Sequence, residues 1–399
     1  MAAAVSTGAD TIPLALYVHF PWCVSKCPYC DFNSHAVQDE LPAARYLAAL
    51  DADLEVQASR VAGRRITSVF LGGGTPSLFP PEAIAQLLAS ARRHLMLAAD
   101  AEITLEANPG TIERGRFAGY RDAGVNRVSL GAQSFDPATL RALGRIHSPD
   151  ETRAAAAELH AAGLANFNLD LMYALPAQTQ AAALADIDAA LALAPAHLSH
   201  YQLTLEPGTL FAARPPAKLP DDDAAREMLD AGLERLAAHG YLRYEVSAYA
   251  REGRRCRHNL NYWQFGDYLG IGAGAHGKLT DAGEPGAALR VSRTTRLREP
   301  RRYMGEAGEP PATRDVAGDE LPFEFMLNAL RLTAGFTLRG FTARTGLDPA
   351  SLEPRIQRLA ERGLLEPTAQ GWRPTPRGLD FLNDLLLEFL PESRAGAAG

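Results

Sequence analysis

Long apolar runs are missing from this 399-residue chain. None approaches the roughly twenty residues that a bilayer-spanning helix needs. The opening residues, Met1 to Asp10, carry neither the basic nor the apolar stretch of a secretory signal. They read as part of a loose, disordered leader covering residues 1–11. Cysteine is scarce too: there are four, three of them within eight residues. That pattern excludes a disulfide framework and fits a reducing compartment, where thiolates stay available for metal; the cytoplasm is the expected location. Large basic blocks are absent, and the net charge is −7 at a pI near 5.8. A nucleic-acid partner is therefore not expected. The short basic run Arg251 to Arg257 reads as the frame of a site or a solvated loop. Neither G-x-G-x-x-G nor G-K-[ST] accompanies the glycine triplet Gly72-Gly73-Gly74, so a Rossmann or P-loop nucleotide site is excluded.

What is present is a loop of thiols, Cys23-Val24-Ser25-Lys26-Cys27-Pro28-Tyr29-Cys30, directly after the strand-like run Leu14 to His19. Three soft sulfur ligands suit zinc or an iron-sulfur cluster. A structural zinc site closes with four ligands, and a four-iron cube takes one ligand per corner. Three thiols thus suggest a cluster with one iron left open for a substrate. The bland alternative is a zinc knuckle completed by His19, His35 or Cys256.

Strand and helix then alternate about six times over residues 14–240, which predicts an α/β fold of parallel units closing toward an incomplete (β/α)6 TIM-like barrel. The strands expected are 14–19, 66–71, 102–106, 127–130, 166–172 and 197–205, with helices over 41–60 and 80–97. Each strand ends in polar or glycine residues, as expected where the loops at the C-terminal face build a site. Tyr17, the glycine triplet, Glu106, Gln133, Asp170 and Gln202 all fall there. The expected division is a barrel over 12–240, an extension and connecting region over 241–320, and a small winged-helix-like helical domain over 321–399. Within the extension, residues 244–247 read as a strand and 281–320 as a connection. The C-terminal helices are expected over 322–332, 338–345, 352–362 and 376–390, with a hairpin before the last. The second of them is not strongly basic, which favours a lid or docking role over DNA binding.

Gly72-Gly73-Gly74 followed by Thr75-Pro76 lets backbone approach a ligand closely. Glu106 can accept from a cationic or hydroxylated ligand, Asp170 from a ribose, and Arg145 can pair with a carboxylate. Taken singly, each reads equally well as a solvated strand end or a cap.

Together the motifs resemble one family. The spacing C-x3-C-x2-C with Tyr29 before the last cysteine resembles the radical S-adenosylmethionine (SAM) superfamily. Tyr17-x-His19-x-Pro21-Trp22-Cys23, Gly-Gly-Gly-Thr-Pro, Glu106-Ala107-Asn108-Pro109, residues 130–135 (LGAQSF), 143–147 (LGRIH) and 168–172 (NLDLM) resemble, in order and spacing, the oxygen-independent coproporphyrinogen III oxidase group. The resemblance implies a [4Fe-4S] cluster on Cys23, Cys27 and Cys30, and SAM contacts from Tyr17, Tyr29, Gly73, Gly74, Thr75, Glu106, Gln133, Arg145 and Asp170. Within the group the chain is most similar to its haem-chaperone branch. The oxidase carries a further cysteine two residues after the third, and Phe32 stands there. His258-Asn259-Leu260-Asn261-Tyr262-Trp263 matches that branch's H-N-x-x-Y-W motif, which implies haem at His258. The implied function is to bind haem and hand it to client haemoproteins such as respiratory, membrane-associated enzymes, with an electron donor for the cluster. The alternatives are radical decarboxylation of coproporphyrinogen III and a zinc-stabilised binding module; whether the chain is an enzyme stays open.

Overall fold

The computed structural model describes residues 12–38, 40–110, 114–281 and 289–391, so the expected leader lies outside the described residues. Six strands lie side by side in chain order, all parallel: β1 (Leu14–Phe20), β2 (Arg65–Gly73), β3 (Met96–Ala107), β4 (Arg127–Gln133), β5 (Phe167–Tyr173) and β6 (His197–Gln202). At least one helix separates each from the next, as parallel pairing requires. This is the incomplete TIM-like barrel expected. Its strands are covered on both faces, which is why they read as nearly continuous apolar runs; Leu16, Val18, Val69, Leu71, Val128 and Leu169 are all fully buried. Helix starts carry local signals. Ser148 and Glu151 form a reciprocal capping box at the helix Pro149–Ala161, and Thr179 caps Gln180–Ala192.

Several expectations need correction. The helix expected to reach residue 97 ends at His94, because Met96 and Leu97 pair with Arg65 and Ile66 and lengthen β3. Residues 244–247 are not a strand. The Glu245 carboxylate accepts from Ser247 N and Oγ, both at 2.9 Å, and makes a turn between β7 (Leu242–Arg243) and β8 (Ala248–Ala250). The supposed connection over 281–320 contains β11 (Arg290–Thr295), β12 (Ala312–Asp315) and a helix, Pro300–Glu306. Together with β9 (Asp267–Ile271) and β10 (His276–Asp281) these strands continue the same sheet: β9 runs parallel to β1, and β10 to β12 follow antiparallel. Polar composition hid them: Ser292 and Thr294, buried in β11, read as loop residues.

The C-terminal unit has its own core of Phe325, Phe336, Phe341, Ile356, Leu359 and Phe389. Helices Leu321–Ala329, Leu338–Thr345 and Glu353–Glu361 pack beside three short strands, Phe336–Thr337, Leu365–Pro367 and Gly371–Pro374. The final helix is broken at Phe381 into Pro376–Asp380 and Leu382–Leu387.

Candidate functional site at the barrel mouth

The three thiols hang from the end of β1. Trp22–Cys23 pairs briefly with His35–Ala36, and the loop between them turns tightly, with Cys30 N–H donating to the Cys27 carbonyl at 3.1 Å. All three are free and partly exposed. Desolvation raises the Cys23 thiol, the neighbouring thiols add to this, and hydrogen bonds with Thr75 and Ser34 oppose it. Arg145 Nη1 lies 3.5 Å from Cys27 Sγ, placing a cation where thiolate charge would gather. Among the described residues, no three metal-ligating side chains converge tightly enough for a single ion.

The thiols face a cavity whose far walls are the ends of β2 to β6. Tyr29, Gly73, Gly74, Thr75, Glu106, Gln133, Arg145 and Asp170 all line it. Nine residues were expected to contact SAM; Tyr17 is the one outside, facing the neighbouring cavity instead. Gly73 has φ +105°, and a Cβ there would strike the His19 ring; a Cβ at Gly74 would lie 2.5 Å from the Trp22 carbonyl. Only glycine fits this cradle. Asn108 ties it together, donating to Thr75 Oγ1 at 2.9 Å and accepting from Arg145 Nη2 at 2.5 Å.

Two carboxyl groups share the cavity. Burial, reinforced by the charge of Asp170, pushes Glu106 up to about 8, although Gly73 N–H donates to it at 3.0 Å. Asp170 is raised by burial, against hydrogen bonds from Asn168 at 2.8 Å and Ser129 at 3.1 Å. A cation bound in this cavity would favour the ionised form of both carboxyls. Ser129 and Tyr201 also line it, and Tyr201 donates to Gln133 Oε1 at 2.7 Å. Sequence reading placed Gln202 there instead. The period of two along β6, with His197, Ser199 and Tyr201 on one face, was the available signal.

A second, larger cavity adjoins the first through Phe32, Gly73 and Glu106. Aromatic rings dominate its wall: Tyr17, Phe70, Tyr262, Trp263 and Tyr268. His258 sits in this wall on the helix Arg257–Trp263, its ring 5.0 Å from that of Phe70 and 6.4 Å from that of Tyr17. Desolvation, with the Arg127 charge, pushes its imidazole down to about 3, so it is neutral. Its Nδ1 meets Ser68 Oγ at 3.3 Å. Cys256 lies elsewhere, wholly buried, its thiol pushed up to about 12 by burial and 3.5 Å from Glu102 Oε1. It behaves as a structural cysteine. His19 is engaged by Tyr17 OH and the Asn33 carbonyl, each at 2.9 Å.

A partial barrel with three thiols, a glycine cradle and paired carboxyls at its mouth defines a radical-SAM-type protein. Residues 17–190 match the Radical SAM superfamily and residues 316–381 the HemN C-terminal domain. A relative from Escherichia coli (strain K12), Heme chaperone HemW, is 49% identical over 95% of this chain and 99% of its own. Another, the mouse Radical S-adenosyl methionine domain-containing protein 1, mitochondrial, is 39% identical over 95% of this chain and 87% of its own. The solved structure of E. coli coproporphyrinogen III oxidase (HemN) superposes with a TM-score of 0.79 at 24% identity, covering 95% of this chain and 90% of that one. The chain belongs to the HemW family of radical SAM proteins. Membership implies a [4Fe-4S] cluster and SAM as cofactors, and the free thiols and glycine cradle fit both. Among the described residues no helix is long and apolar enough to cross a membrane.

Proposed function

We propose that this protein is a haem chaperone: it binds haem in the aromatic cavity and passes it to client haemoproteins, respiratory membrane-associated enzymes among them, working in the cytoplasm. The observation that carries this is the contact between the two cavities, with a neutral, desolvated His258 in the aromatic one. A neutral imidazole is the ligating form. With the proton on Nδ1 toward Ser68, Nε2 keeps its lone pair for iron. Cys23, Cys27 and Cys30 would hold the cluster, which would supply an electron to SAM once reduced by a donor protein. Gly73 and Gly74 would admit the methionyl end of SAM, Glu106 would face its cationic groups, Asp170 its ribose, and Arg145, Thr75 and Gln133 would brace the walls.

Haem titration of the anaerobically purified protein tests the reading. Wild type should give a saturable one-site absorption spectrum, weakened about tenfold in His258→Ala by the loss of an axial ligand. Equal binding by the two proteins would defeat it. Radical decarboxylation is tested by anaerobic incubation with SAM, reductant and coproporphyrinogen III. Phe32, in the wall common to both cavities where the oxidase carries cysteine, supports the expectation of no protoporphyrinogen product.

A further inference from the structure

The outer rim of the aromatic cavity is cationic. Arg298 and His276 line it, and both are exposed. Their main chains are tied together: Gly274 N–H donates to the Leu297 carbonyl and Arg296 N–H to the Ala275 carbonyl, each at 2.8 Å, and His276 pairs with Thr295. Asn33, three residues after the last loop cysteine, closes the arrangement. Its Nδ2 donates to the carbonyls of Ala273 at 2.9 Å and Arg298 at 2.8 Å.

The Arg298 backbone is thus held while its head group is free. Arg296 and Arg302 have acidic partners, Asp53 and Glu306, whereas Arg298 makes no ion pair among the described residues. The adjacent carboxylate, Glu299, is committed elsewhere. It accepts from Arg301 N at 3.0 Å and Arg302 N at 2.7 Å, capping the next helix, and those bonds hold it below the usual carboxylate range. Desolvation and the charges of Arg293 and Arg298 lower the His276 imidazole, a sign of positive potential at this rim. Of the carboxyl groups in the cavity wall, Glu106 belongs to the wall shared with the first cavity, and Asp31, exposed beside the cysteine loop, makes no ion pair with Arg298 among the described residues. An apolar cavity with the Glu106 carboxyl at its inner partition and an unpaired guanidinium at its mouth orients a flat ligand that bears carboxylates on one edge.

We infer that Arg298, flanked by His276, is the carboxylate anchor of this cavity and takes the propionates of a bound tetrapyrrole at the rim while the apolar edge of the ring points inward. The inference rests on the haem reading for the identity of the ring, but the anchor itself asks only for a macrocyclic diacid. A guanidinium suits the task because it pairs with carboxylate through two parallel bonds.

The test is to titrate full-length protein with haem, metal-free protoporphyrin IX and the dimethyl ester of each, following quenching of tryptophan fluorescence. Arg298→Ala should weaken both diacids about tenfold and leave both diesters unchanged, and Arg298→Lys should keep part of the affinity. His258→Ala should weaken haem and spare the metal-free ring. Diacids bound equally by wild type and Arg298→Ala would overturn the inference, as would equal losses for diacids and diesters. If wild type takes up the metal-free diacid through Arg298 but gives no iron-ligand spectrum with haem, the anchor stands and the chaperone reading falls. If it binds none of the four, both fall.

Discussion

Glu106 shows how one residue can set the pH response of the site. Its folded value near 8 means that it is mostly protonated at neutral pH and becomes a carboxylate above that value. A cationic ligand binds the carboxylate, so SAM affinity should strengthen with rising pH by up to about tenfold per unit below pH 8 and level off above it. Glu106→Gln should bind more weakly and with a flat profile; equilibrium dialysis between pH 6.5 and 9 measures both. A wild-type profile as flat as the variant's would remove Glu106 from the site. The thiols give a simpler expectation. Cys27→Ser, reconstituted anaerobically, should lose most iron and acid-labile sulfide, because a cube left with two protein ligands is poorly held. Full sulfide content in that variant would contradict the assignment. These residues were readable from sequence because each stands beside a punctuating signal: cysteines at fixed spacing, glycines in a run, acids at strand ends. Tyr201 and Ser129 carried no such mark, since a tyrosine or serine in a strand is ordinary until its neighbours are known.

At the scale of elements, the end of β2 decides how closely backbone can approach a ligand. Gly73 combines a left-handed φ with contact against the His19 ring, so Gly73→Ala should destabilise the fold by about 1–3 kcal/mol. Urea unfolding reports that loss, and SAM binding should fall with it; a variant as stable and as competent as wild type would show the strand end to be adaptable. The six parallel units were legible because strand and helix signals alternate with a steady rhythm and the later helices start at capping residues, Asp136, Ser148 and Thr179. The strands β10 to β12 were not. Their residues are nearly as polar as a loop, and Ser292 and Thr294 are buried where β11 lies between β10 and β12. Local propensity lost to tertiary pairing there, as it commonly does in strands.

At the scale of the whole molecule, the C-terminal unit buttresses the helix Arg257–Trp263. Arg331 pairs with the buried Glu245 at 3.1 Å, and its guanidinium lies 4.4 Å from the Trp263 ring centre. Phe265 packs against Phe325 with ring centres 5.6 Å apart. Arg331→Ala should therefore cost about 1–2 kcal/mol, since Glu245 keeps its Ser247 bonds, and should shift tryptophan emission by loosening Trp263. Denaturant titration followed by fluorescence checks it. An unchanged midpoint and spectrum would mean that the two units merely touch.

The sequence by itself determined the repeating βα order, the thiol loop and the glycine cradle, because spacings of a few residues dictate local backbone geometry and ligand count. Only the tertiary structure decided that the aromatic cavity exists. It brings Asn33 to Arg298 across 265 residues and sets His258, His276 and Phe32 around one space. That juxtaposition depends on β9 to β12 joining β1, and such pairing is driven by satisfying backbone hydrogen bonds over long separations, which leaves no local pattern to read.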